Sequence, residues 1–125
     1  FIPCFVDQLF PDTAMNMVKV LEALGCQVNY NPAQTCCGQP AFNSGDTRGG
    51  AAMARRTIAA FEGYDYVVVP SGSCAGMIRA HFREALADDP AWLPRAEALA
   101  ARTHELLSFL AVAARAAAPH SGTSR

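Results

Sequence analysis

Charge of one sign is what this 125-residue sequence lacks: ten basic and eleven acidic side chains are spread along it, for a formal net charge of −1. Without a basic stripe there is no electrostatic footprint for nucleic acid or an anionic lipid surface, and neither is expected as a partner. Long apolar runs are missing as well. Tyr66 to Pro70 falls far short of the roughly 20 residues that span a membrane, and no charged-then-apolar leader opens the chain. Nor do the cysteines have compact spacing. Five of them, an odd number with no framework of close pairs, fit a reducing compartment better than a secreted disulfide scaffold, so the chain is read as cytoplasmic with its thiols free or ligating. There is no initiating Met, and the first residues already look like the tail of a strand, so the sequence reads as a fragment.

What is present is enough for one core. With 51% hydrophobic residues, the chain can bury a single core but is too short for two comfortable domains. Residues 1–4 read as a short buried strand. Pro11-Asp12-Thr13 supplies a turn and N-cap for a helix to about residue 24, with Met15, Met17, Val18, Leu21 and Leu24 as its apolar stripe and Gly25 as its stop. Residues 26–30 read as a second strand, closed by Asn31-Pro32, and a long loop follows to Gly45. A helix is expected from Thr47 to Gly63, with Ala51, Ala52, Met53, Ile58 and Phe61 inward and Arg48, Arg55 and Arg56 toward water. The β-branched run in residues 64–70 predicts a fully buried third strand.

Beyond the turn Ser71-Gly72-Ser73-Cys74, a helix over 75–86 carries Met77, Ile78, Phe82 and Leu86 inward until Asp88-Asp89-Pro90 breaks it. Residues 92–118 form a long Ala-rich helix with a kink or split near Pro94. The alternation of strands and helices requires parallel strands with right-handed crossovers, hence a small Rossmann-like, three-layer α/β domain with a short sheet and a long C-terminal helix. Its division is 1–90 for the cysteine-rich domain, 91–118 for a helical extension or linker and 119–125 for a disordered tail.

Cys4 lies 32 residues before Cys36, and Cys74 lies 37 residues after Cys37. Each of the three groups sits where a predicted strand runs out, the edge at which open parallel sheets gather ligands. Cys26 opens a strand at the opposite rim and reads as a small core side chain. A glycine beside the doublet, Gly38, lets the backbone take φ > 0 and approach a bulky inorganic group. Four thiolates could hold zinc, but structural zinc sites draw paired ligands from knuckles, and adjacent cysteines chelate one small ion awkwardly. An iron–sulfur cluster, larger and with irons pointing in several directions, accepts them more readily.

The alternatives are a zinc-bearing or redox-inert interaction module and a thiol hydrolase. The latter rests on Gly72-Ser73-Cys74-Ala75-Gly76, a strand-turn-helix elbow with Cys74 as nucleophile. That reading needs a positioned histidine from His81, His104 and His120. His81 lies on the same helix, His104 on a later amphipathic helix and His120 in the tail, and the doublet is left unexplained. A phosphatase loop fails because Cys74 and Arg79 are separated by four residues instead of five.

The run Gln34-Thr35-Cys36-Cys37-Gly38-Gln39-Pro40-Ala41, with Pro3-Cys4 before it and Pro70-Ser71-Gly72-Ser73-Cys74 after it, resembles the first cysteine-rich CCG domain of the lactate utilization protein A family. Related domains occur in the iron–sulfur component of glycolate oxidase and in heterodisulfide reductase. The resemblance covers about residues 1 to 110. It implies a cytoplasmic iron–sulfur protein passing electrons in oxidation of a 2-hydroxy acid, L-lactate in that family, alongside other subunits of an oxidoreductase complex.

In the heterodisulfide reductase version five thiolates, two of them in Cys-x-x-Cys, hold a noncubane cluster. Here Ser71 stands at the first of those two positions, as a turn-former or a weak oxygen ligand. Four ligands remain, Cys4, Cys36, Cys37 and Cys74, which suit a 4Fe-4S cluster. The relatives carry a second CCG domain, so the apolar side of 92–118 is expected to face a missing half, a partner protein or a second copy.

Overall fold

Side chains branched at Cβ pack well on a pleated surface, and in the computed structural model, which describes residues 1–117, Val67–Val69 forms strand β1 with Val67 and Val69 buried. Ahead of it run α1 (Cys4–Leu9), α2 (Pro11–Ala23), α3 (Gln39–Asn43) and α4 (Thr47–Phe61). Behind it, α5 (Gly72–Gly76), a π-helical turn over Met77–His81 and α6 (Phe82–Ala85) make one continuous helical stretch, followed by α7 (Leu93–Arg102), β2 (Thr103–Glu105) and α8 (Leu106–Ala117). Strands β1 and β2 are parallel, with Val67 opposite Thr103 and Val69 opposite Glu105. The fold is an α/β domain with a short parallel sheet.

The core forms around β1. Ile58 and Phe61 reach it from α4, Met77, Ile78, Phe82 and Leu86 from the stretch after β1, and Ala96 and Leu99 from α7. Helix α4 starts at Thr47 as expected, and Asp46 caps it, its carboxylate accepting from the Gly49 N–H at 2.8 Å. An Arg55–Asp89 ion pair at 2.9 Å ties α4 to the turn after α6.

Several expectations are corrected. Residues 1–3 run extended beside β1, but the Phe1 nitrogen donating to the Val68 carbonyl at 2.9 Å is their one ladder-like bond. The next nitrogen, that of Ile2, donates to the Gln34 side chain, and Pro3 has no N–H to give, so no strand forms. Cys4 instead opens α1, and α2 starts at Pro11 with Phe10 before it. Residues 26–30 are not a strand either: a cleft of about 390 Å³ separates them from Phe1, Ile2 and the 64–68 segment, leaving no edge within reach. On α2 only Met17 and Leu21 are buried, while Met15 and Leu24 are exposed.

The predicted helix over 92–118 is broken in the middle by β2, so the C-terminal helix is α8 alone and His104 lies on a strand. Thr103 is buried and its hydroxyl donates to the Leu99 carbonyl at 2.8 Å, closing α7 and turning the chain into the sheet. The predicted tail, 119–125 with His120, lies outside the described residues.

Candidate metal centre

Three segments deliver the thiols. Pro3 precedes α1 and places Cys4 at its first residue, exposed. The doublet ends the loop before α3, where Gly38 has φ +87° and heads the helix. A Cβ on Gly38 would meet Met53 Cβ at 2.8 Å, so both the turn and the close approach of α3 to α4 require glycine. The Gly38 N–H points back at Cys36 Sγ, 3.4 Å away. Cys74 sits in the first turn of α5, just beyond β1, where Ser71 caps the helix by accepting from the Cys74 N–H at 3.4 Å. Ser71 is thereby a turn-former, its hydroxyl also 3.2 Å from that of Ser73.

The sulfurs form two pairs joined through the doublet. Cys4 Sγ and Cys36 Sγ are 3.9 Å apart, at the wall of a cleft of about 190 Å³ also lined by Ile2, Asp7, Gln8, Tyr30, Gln34 and Thr35. Cys37 and Cys74 are both buried in the same core cluster. Cys74 is lowered to about 6, first by the Cys37 S–H and then, against burial, by the Ser71 and Ser73 hydroxyls. Cys37 is pushed far up, by its interaction with Cys74 and by burial, so the pair keeps one proton on Cys37 and its charge on Cys74. Cys4, though exposed, is raised by partial desolvation and by its bond to Cys36.

Cys26 belongs to neither pair: half-buried, it lines the larger cleft with Met17 and Leu21. Among the described residues, no three His, Cys, Asp or Glu side chains sit together as a site for a single metal ion.

An elbow-like strand-turn-helix does surround Cys74, but the groups that act on its thiol are Cys37, Ser71 and Ser73. His81 instead bonds Glu84 at 3.1 Å and packs on Phe42. His104 stands in an aromatic cluster with Tyr66 and Phe109. Sequence reasoning missed the Ser73 hydroxyl and Thr35, whose Oγ1 is buried without a partner beside Cys36. Both lie inside the cysteine motifs, and the burial of Thr35 Oγ1 and the orientation of the exposed Ser73 depend on how the loops fold.

A family model described as a cysteine-rich domain, CCG, matches residues 1–79. The chain belongs to the CCG cysteine-rich domain family. It is 48% identical over 110 residues to lactate utilization protein A of Shouchella clausii, an overlap covering 88% of this chain and 46% of that one. The protein of the same name from Exiguobacterium sp. is 47% identical over 112 residues, 88% of this chain and 45% of its own. That from Halalkalibacterium halodurans is 46% identical over 110 residues, again 88% and 45%. The chain thus spans about half the length of the curated relatives it matches. No solved structure matches it. Among the described residues, no helix is long and apolar enough to cross a membrane.

Proposed function

We propose that this CCG domain is an iron–sulfur electron-transfer component of a lactate-utilization system, holding a 4Fe-4S cluster through Cys4, Cys36, Cys37 and Cys74. The carrying observation is the gathering of four thiols from three chain segments: Cys4 and Cys36 Sγ lie 3.9 Å apart, and Cys36 packs against the core cluster that holds Cys37 and Cys74. The donor set fits such a group. Four thiolates are the usual ligands of a 4Fe-4S centre, and they are soft donors of the kind iron–sulfur clusters select.

When bound, the cluster supplies one-electron storage and release. The chain's own residues prepare the site. Gly38 turns the doublet and aims a backbone N–H at the Cys36 sulfur, and Ser71 and Ser73 help hold Cys74 as a thiolate before metal arrives. Burial of Cys37 and Cys74 keeps one side of the site dry, while Cys4 faces solvent and offers the side nearest an electron partner. Lactate as the substrate of the complex, the other subunits as partners and a cytoplasmic setting rest on the relatives' name and the reduced thiols.

Iron, acid-labile sulfide and low-temperature EPR on anaerobically purified protein test the proposal. Serine at Cys36 or Cys37 is expected to abolish the absorbance near 400 nm, about the region of iron–sulfur charge transfer, and serine at Cys26 to leave it. Retained colour in both doublet variants rejects this ligand set.

A further inference from the structure

The same four thiols have a second chemistry before any metal is bound. We propose that the metal-free site is a modification site for hydroperoxides, oxidised to two defined disulfides, Cys4–Cys36 first and Cys37–Cys74 second. This goes beyond the electron-transfer reading and does not depend on what the thiols hold.

Four cysteines allow three pairings. A Cys36–Cys37 bond would join neighbours whose Cα atoms are about 3.8 Å apart, below the roughly 4.4–6.8 Å that disulfides adopt, which removes the pairing that contains it. Of the two left, distance selects one: Cys4 Sγ is 3.9 Å from Cys36 Sγ, which leaves Cys37 to pair with Cys74, and both of these are buried in the same core cluster. The order follows from access, which outweighs the thiolate charge held on buried Cys74. Cys4 is exposed and Cys36 half-buried at the wall of an open cleft of about 190 Å³, ample for hydrogen peroxide, whereas Cys37 and Cys74 are both buried. Cys26 has no thiol partner and stays reduced.

Each step balances. One sulfur of a pair attacks a peroxide oxygen, the O–O bond breaks, a water leaves and a sulfenic acid forms. Its partner sulfur then displaces a second water as the S–S bond forms. Two thiols give up two electrons and two protons, and one hydrogen peroxide becomes two waters. Closing the pair at this stage halts oxidation before the irreversible sulfinic acid, so a thiol reductant restores the site for assembly.

The test is peptide mapping of the whole metal-free chain after titration with hydrogen peroxide, digested by trypsin without reduction. Cleavage at Lys19, Arg48, Arg56 and Arg79 puts Cys4 in peptide 1–19, the doublet and Cys26 in 20–48 and Cys74 in 57–79. At one equivalent, 1–19 joined to 20–48 is expected to dominate; at higher peroxide 20–48 also joins 57–79, and dithiothreitol releases both. Cys36→Ser is expected to abolish the first link and keep the second, with Cys37→Ser doing the reverse.

Fragment-ion spectra of the wild-type links assign Cys36 against Cys37 independently, should a variant not fold. A link through Cys26, a bond inside the doublet, 57–79 joined first, or Cys4 ending as sulfinic acid overturns the proposal. Iron content of anaerobic protein is measured separately, so absence of a cluster and absence of this pairing are distinct results.

Discussion

Gly38 and Cys74 are the two positions where the site's geometry can be broken cleanly. At Gly38, a left-handed φ of +87° coincides with a methyl group meeting Met53 Cβ at 2.8 Å. Gly38→Ala is therefore expected to cost about 1–3 kcal/mol, read as a fall in thermal midpoint, and to reduce iron content by displacing the doublet. An alanine variant with unchanged midpoint and iron would contradict the required turn.

Cys74 is lowered to about 6 by donors that act on its thiolate, so in the metal-free protein the thiolate is present above that pH and lost as pH falls through it. Alkylation by iodoacetamide, slow because Cys74 is buried and compared as rates on peptide 57–79 across pH, should show a midpoint near 6, and Cys37→Ala should move it upward by removing the largest cause. A wild-type midpoint near the ordinary thiol value of about 8.5 would contradict that lowering. The ligand candidates are legible from three expected strand ends, but only Cys74 follows a strand, so a shared sheet rim is not what gathers Cys4 and the doublet beside it. Which sulfur pairs with which was not legible, since contact between Cys4 and Cys36 is set by how the loop from Asn31 folds back along residues 1–3.

Elements were legible where local and tertiary signals agree. Helix α4 has both a capping Asp46 and inward Ile58 and Phe61, and β1 is a β-branched run with a buried face. Helix α1 escaped because Phe5, Leu9 and Phe10 point outward, so its apolar residues do not mark a buried stripe. The segment over 26–30 alternates like a strand but finds no edge, and a ladder cannot form from one side. Strand β2 lies between two Ala-rich helices, and only its docking on β1 overrides their propensity.

That docking makes α7 part of the core. Leu99→Ala is expected to destabilise by about 2–5 kcal/mol in denaturant unfolding, and exposed Leu107→Ala by under about 0.5 kcal/mol. Equal effects would mean that α7 does not pack as described.

As a whole, the molecule gathers its thiols through one small core, so the proposed metal content is expected to fall with stability. Removing everything after residue 90 would take β2 from β1 and Ala96 and Leu99 from the core, and the shortened chain is expected to lose cooperative thermal unfolding. A sharp transition at an unchanged midpoint would show instead that residues 91–117 are a separable extension. The chain covers about half the length of its lactate utilization relatives, and the electron-transfer proposal concerns what this half contributes to them.

The most direct measurement is the iron and acid-labile sulfide content of anaerobically purified protein, with EPR after reduction. Four-thiolate ligation of a 4Fe-4S cluster predicts brown protein with roughly four irons and four sulfides per chain, losing its signal when Cys36 or Cys37 is serine. A colourless protein that retains one zinc per chain and no sulfide would contradict it.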